Sequence, residues 1–305
     1  MGGVLGGFAP IWVLTAVGFA AARTDVLGDR AETVLGRFAF YLAMPAVLFT
    51  TLLGGSPADL ANRGVLAFVI STFVVGLVGY AVQWRVFRRS PPDRALGAMA
   101  GCYANAGNLG IPVAVGVLGD SSFVVAVLLF QPVVVMPVVL AAVEVGSGRR
   151  GSALRTLALL PVRNPLILAS LLGLVCGLLG VRVPELVLEP VRALGAAGVP
   201  TALVVLGMSL DAARAPEPGV RAELATAVAL KLLLHPLVAF LACLALDVTG
   251  PPRLAAVVCA ALPTAQNVYV LARRYRSDPR FQRDAVLVST VLSMATLSVV
   301  VLLLR

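Results

Sequence analysis

Lysine and histidine are almost missing from this 305-residue chain; Lys231 and His235 are the sole examples. Charged residues of all kinds make up 13% of it, about half the share of a soluble globular domain. With 59% hydrophobic residues and a mean hydropathy of +0.97, a water-soluble fold is excluded. Acidic residues are scarce at the centres of the long apolar runs. Glu144, Asp211 and Asp247 sit at run ends, and Asp120 sits in a short link. A cation pump built on a mid-membrane carboxylate therefore has no support.

The four cysteines, Cys102, Cys176, Cys243 and Cys259, are scattered through apolar segments. No CxxC pair or Cys/His cluster occurs, so neither a disulfide framework nor a metal site is expected. The aromatic residues, 6% of the chain, are too dispersed for a cofactor cage, and no cofactor is expected. HExxH, GxSxG and paired intramembrane aspartates are absent, and Ser170, Ser209 and Ser289 read as ordinary small polar residues. An enzyme is therefore not expected. Met1–Phe8 has no basic residue, so the first apolar run reads as a span rather than a signal peptide.

What is present is hydrophobic length. At roughly 20 apolar residues per span the chain fits about ten helices. The expected spans are 5–22, 34–53, 64–86, 95–118, 122–144, 160–180, 188–210, 223–247, 253–274 and 284–304. The fold class is an all-α polytopic membrane protein. The loops after spans 1, 3, 5, 7 and 9 hold 18 arginines, from Arg23, Arg30 and Arg37 to Arg280 and Arg283. The other side holds five: Arg63, Arg182, Arg192, Arg253 and Arg305. The positive-inside rule then puts the odd loops in the cytoplasm and both termini outside. The +9 net charge is thus topology signal and anionic-lipid contact, not a nucleic-acid footprint.

Ten spans divide into two inverted five-helix repeats. The expected layout is residues 1–146, a cytoplasmic linker 147–158, and residues 159–305. Spans 4 and 9, at matching places, are broken by polar residues beside a proline. The first break reads Gly101-Cys-Tyr-Ala-Asn105-Ala-Gly-Asn108-Leu-Gly110-Ile-Pro112, and the second Pro263-Thr264-Ala-Gln266-Asn267. Paired breaks of this kind point to a secondary transporter's binding site. Asn105 and Asn108 either share a helix face or flank an unwound turn. Pro112 and Pro263 suit the first turn of a second half-helix, whose N-terminal amides favour an anion. The alternative is a pair of proline kinks tied by asparagines. Ala43-Met44-Pro45 and Asn164-Pro165 also read as kinks or hinges.

Lys231 and His235 lie four apart, on one helix face. A lysine at mid-span costs about 2.5–3.5 kcal/mol on insertion scales. Two roles stay open: neutralising an anionic substrate, or capping broken-helix carbonyls. His235, before Pro236, reads as structural, with proton coupling open to it.

In order and spacing, several segments together resemble the auxin efflux carrier family, which includes plant auxin carriers and bacterial malate or malonate carriers. They are Phe40–Phe49, Asn105–Pro112, Asn164-Pro165, Leu206–Leu210, Lys231–Pro236 and Pro263–Tyr275. The resemblance covers nearly the whole chain. It implies a scaffold of spans 1, 2, 6 and 7, a homodimer, and a transport domain of spans 3–5 and 8–10. Spans 4 and 9 would cross, with substrate at the crossing and an elevator-like shift. Asn105, Pro112 and Pro263 carry over onto the family's crossover. Asn108 departs from it, and the long central loop of many plant members is missing; both point away from auxin itself.

The expected function is a secondary carrier of a small organic anion in the cytoplasmic (inner) membrane. Its expected site is Asn105, Asn108, Gly110, Pro112, Pro263, Thr264, Gln266, Asn267 and Lys231. A sodium-coupled symporter of the related bile-acid-transporter-like fold and a non-transporting membrane sensor are the alternatives.

Overall fold

The computed structural model describes residues 2–28, 30–54, 62–146, 165–211, 220–275 and 279–304. The linker 147–158, Asn164, Arg149, Arg150, Arg155, Arg163, Arg214, Arg276 and Arg305 lie outside the described residues.

The described residues form helices and no strand. In chain order they are α1 (Gly2–Arg23), α2 (Ala31–Leu53), α3 (Arg63–Arg85), α4 (Pro91–Cys102), α5 (Ala106–Leu118) and α6 (122–146). There follow α7 (Pro165–Leu178), α8 (Glu185–Asp211), α9 (Arg221–Ala245), α10 (Gly250–Ala261), α11 (Gln266–Arg274) and α12 (Pro279–Leu304). Six of these, α2, α3, α6, α8, α9 and α12, are long and apolar enough to cross a membrane. The described parts of α1, α5 and α7 are apolar but shorter.

Five π-helical turns interrupt the described helices, and four share one cause. The turns Ala39–Ala43, Ala106–Gly110, Gln131–Val135 and Leu230–Leu234 each end two residues before a proline: Pro45, Pro112, Pro137 and Pro236. Proline cannot donate to the carbonyl four residues back, and its ring pushes that carbonyl away. The displaced carbonyls belong to Tyr41, Asn108, Val133 and Leu232, at the centre of each turn. The turn widens by one residue to keep its remaining bonds, and such bulges gather at functional sites. The rule runs one way only, since Pro200 sits in ordinary α-helix within α8.

The chain divides into two compact units. The first holds residues 1–62, 107–129 and 159–212. Its helices approach closely through glycine. A Cβ on Gly18 would stand 2.0 Å from the Val204 carbonyl oxygen, and one on Gly207 would stand 1.9 Å from that of Thr15, so α1 and α8 touch backbone to backbone. Gly173 does the same against Phe49, joining α7 to α2. In lipid, helices associate by packing, and small residues permit it. Gly119, with φ of 73°, turns the chain between α5 and α6, where Thr51 and Ser121 share a 3.0 Å hydroxyl contact.

The second unit holds residues 63–106, 130–158 and 213–305. Its apolar core is drawn from α4, α6, α9, α11 and α12, with Leu96, Met99, Val143, Val268 and Ala272 fully enclosed. The α3–α4 pair is locked by small residues: Gly79 faces the Ala98 backbone and Gly76 faces Cys102. At one end Arg89 bonds Glu223 through two guanidinium nitrogens, tying the α3–α4 link to the start of α9.

Candidate functional site

Within the second unit two helices stop at buried positions. α4 begins in a standard way: Ser90 accepts from the Asp93 N–H and Pro91 holds the first helical position. It ends at Cys102, and Tyr103 is extended, with φ −87° and ψ 109°. α10 ends at Ala261, and Leu262 is extended, with φ −57° and ψ 149°. Proline explains the second stop, because the residue before a proline is pushed out of the helical region. It does not explain the first. Pro112 lies well inside the helical segment 106–118 rather than in its first turn, and Pro263 precedes α11 instead of opening it. The expectation that both prolines begin a half-helix is corrected.

The two extended pieces pair with each other. Ala104 and Thr264 form an isolated antiparallel bridge. The Asn105 N–H donates to the Pro263 carbonyl at 2.8 Å, and the Ala265 N–H to the Tyr103 carbonyl at 3.1 Å. A buried backbone group without a partner is costly, and here side chains complete the set. Gln131, in the π turn of α6, grips both backbone groups of Ala104. Its Oε1 accepts from the Ala104 N–H at 2.6 Å, and its Nε2 donates to the Ala104 carbonyl at 2.9 Å. Ser289, from α12, accepts from the Thr264 N–H at 3.0 Å.

The helix ends are capped across the same junction. The Thr264 hydroxyl donates to the Ala100 carbonyl at 2.7 Å, in the last turn of α4. The Lys231 ammonium donates to the Ala260 carbonyl at 2.6 Å, in the last turn of α10. A cation there also meets the negative end of the helix dipole. Ala100 lies four residues before Ala104, and Ala260 four before Thr264, so corresponding carbonyls of the two breaks are capped.

Lys231 continues into a second chain of contacts. Its Nζ lies 3.0 Å from His235 Nδ1, and His235 Nε2 lies 3.3 Å from the Thr72 hydroxyl. Thr72 donates to the Phe68 carbonyl at 2.9 Å, so its oxygen accepts from Nε2–H. Nδ1 then carries the lone pair facing Lys231. Lys231 and His235 are fully buried. Charges on both, at this separation, would repel by about 5–6 kcal/mol at an effective dielectric of 20.

The predicted residues thus separate. Asn105, Pro263, Thr264 and Lys231 are buried in the junction of the second unit, while Gln266 and Asn267 stand exposed at the start of α11. Asn267 lies beside the Tyr103 side chain. Asn108, Gly110 and Pro112 belong to the first unit, with Asn108 in the π turn. Asn105 lies in the non-helical break and Asn108 in the helical segment that follows, so the two do not share a helix face. Gln131 and Ser289 went unrecognised in the sequence, and Ser289 is more than an ordinary small residue. A glutamine beside Pro132 in an otherwise apolar span was the available signal for Gln131. Among the described residues, no three His, Cys, Asp or Glu side chains converge as a metal site would need.

The model of the membrane transport protein family matches residues 4–147 and 149–301. The chain belongs to this family, that of the auxin efflux carriers. It is 29% identical over 316 residues to a Rhizobium meliloti (strain 1021) protein named "Putative malonate transporter". That match covers 100% of this chain and 97% of the relative. It is 24% identical over 303 residues to an uncharacterized transporter of Methanocaldococcus jannaschii, covering 94% of each. An uncharacterized Escherichia coli (strain K12) transporter, YfdV, is also 24% identical, over 297 residues covering 94% of this chain and 93% of the relative. As a member of the family the protein is a multi-pass membrane transporter, and names of this kind describe no enzyme class.

Proposed function

We propose that this auxin efflux carrier family member is a secondary carrier of a small organic anion, with a short dicarboxylate such as malonate as the leading substrate. The carrying observation is the junction itself. Two helices of an apolar protein are interrupted, their extended pieces pair, and the exposed amides of Gln266 and Asn267 open the helix that follows. Amide side chains and the first N–H groups of a helix suit a carboxylate. The name of the Rhizobium meliloti relative supports the dicarboxylate class. The proposed contacts are Asn105, Gln266 and Asn267, with Thr264, Pro263 and Lys231 shaping the junction.

Reading α4–α5 and α10–α11 as one interrupted span each gives the ten-span, inverted-repeat fold. The matched capping of Ala100 and Ala260 supports it. Scaffold and transport domains, a homodimer, an elevator-like shift, an inner-membrane location and outside termini complete the proposal. They rest on the family resemblance and the arginine pattern. Lys231 Nζ already occupies the Ala260 carbonyl, an oxygen that a mobile sodium ion would otherwise suit, so sodium coupling is not favoured.

The test is uptake into proteoliposomes of labelled malonate, malate, short monocarboxylates and indole-3-acetate, with and without a sodium gradient. Saturable, sodium-independent uptake of one anion, lost in Asn105→Ala and Asn267→Ala, is expected. Folded protein that moves none of the panel would sink the reading. Binding without uptake would favour a sensor, and sodium-driven uptake a symporter.

A further inference from the structure

The contact between Lys231 and His235 has room for one proton and not two. His235 presents a bare Nδ1 to Lys231 because its other nitrogen donates to Thr72. With the amine neutral, Lys231 has two N–H bonds, one for Ala260 and one for Nδ1. Adding one proton to Nζ leaves each of these bonds in place. Moving that proton to Nδ1 also leaves them in place, since the amine lone pair then accepts from Nδ1–H. A second proton would set N–H against N–H across 3.0 Å. No heavy atom has to shift between the neutral and the singly protonated pair.

Among the described residues, no carboxylate pairs with that single charge. Besides His235, the titratable groups facing Lys231 among the described residues are Cys102 from α4 and Cys259 from α10. α3 presents Thr72 and Phe68 to His235, neither of them charged, and the nearest described contact of α12 is Ser289 at Thr264. Asp284 of α12 is paired with Arg283, and Glu223 of α9 with Arg89. The relay from His235 ends on the Phe68 carbonyl of a helix, not on solvent. A proton on the pair is therefore occluded in this state.

We propose that Lys231 and His235 form a one-proton site whose occupancy is linked to that of the carried anion. The inference rests on the anion-carrier reading above for its partner, but not for the proton site itself. An anion at the junction offsets a charge that no described side chain offsets. By linkage, each ligand then raises the affinity for the other, and an inward proton gradient drives anion uptake.

Because the chain has one lysine and one histidine, both can be observed without assignment. The experiment is ¹⁵N NMR of the full-length protein in nanodiscs, labelled at lysine and histidine, across a pH titration. Expected is one joint titration, in which the Lys231 Nζ and His235 Nδ1 signals move together while Nε2 stays protonated. Independent titrations, or a His235 that becomes doubly protonated beside an unchanged ammonium, would overturn the proton site. The second arm is uptake of labelled malonate, malate and short monocarboxylates driven by an inward pH gradient at clamped zero potential. Stimulation of at least fivefold is expected in wild type, falling below twofold in His235→Gln with downhill counterflow of the same anion retained. Equal stimulation in His235→Gln, or none in wild type that performs counterflow, would overturn the linkage. Absence of all anion movement beside an intact joint titration would instead strike the anion-carrier reading and, with it, the linkage.

Discussion

Gln131 holds both backbone groups of Ala104, its oxygen 2.6 Å from the N–H and its nitrogen 2.9 Å from the carbonyl oxygen. One side chain, 27 residues away in sequence, does what a neighbouring strand would do. Gln131→Leu keeps the volume and removes both bonds, leaving the Ala104 N–H alone. An unsatisfied buried group costs about 1–3 kcal/mol. Tm in detergent should fall by roughly 5 °C, and uptake should fall with it. A variant as stable as wild type would show that the grip is not needed.

Thr264 tests the cap on α4. Thr264→Val removes the hydroxyl that meets Ala100, whereas Thr264→Ser retains it. The valine variant should lose about 1–2 kcal/mol and the serine variant less than half of that. Thermal unfolding followed by circular dichroism separates them, and equal losses would assign the effect to the methyl group.

Pro137 tests the origin of the π turn that carries Gln131. In Pro137→Ala the missing N–H returns and the ring is gone, so the turn can close to ordinary α-helix. Removing one residue from the turn rotates everything before it by about 100°, which carries Gln131 away from Ala104. Uptake should drop at least tenfold while helix content stays constant. Unchanged uptake would mean that packing, not proline, holds the turn open.

Gly207 tests the first unit. A Cβ there would stand 1.9 Å from the Thr15 carbonyl oxygen, and backbone cannot yield as a side-chain tip can. Gly207→Ala should cost about 2–3 kcal/mol or more, seen as a lower Tm. Gly36→Ala should be nearly neutral, since its nearest neighbour is a Val205 methyl at 3.6 Å. Similar Tm values for the two variants would contradict the close α1–α8 approach.

The apolar runs and the break at Pro263 were legible in the amino-acid order, because both follow from local chemistry. Proline forces the residue before it out of the helix wherever it stands, and a helix-length apolar run has few alternatives to a bilayer. The four widened turns were also written in the sequence, two residues ahead of Pro45, Pro112, Pro137 and Pro236, although a proline alone reads only as a kink. The junction of the second unit was legible in part. Asn105, Thr264 and Lys231 do meet at the junction of the second unit, whereas Asn108 and Pro112 fall in the first.

The break after Cys102 was decided only by the folded chain. Nothing local stops α4 there: Pro112 is far downstream, and the glycines permit a stop without placing it. The stop is fixed where Pro263 and Gln131 offer replacement hydrogen bonds to Asn105 and Ala104. The same holds for Lys231, whose two roles the sequence left open. Tertiary structure set its Nζ against the Ala260 carbonyl as well as His235, because a partner such as Ala260 comes from a segment distant in the chain.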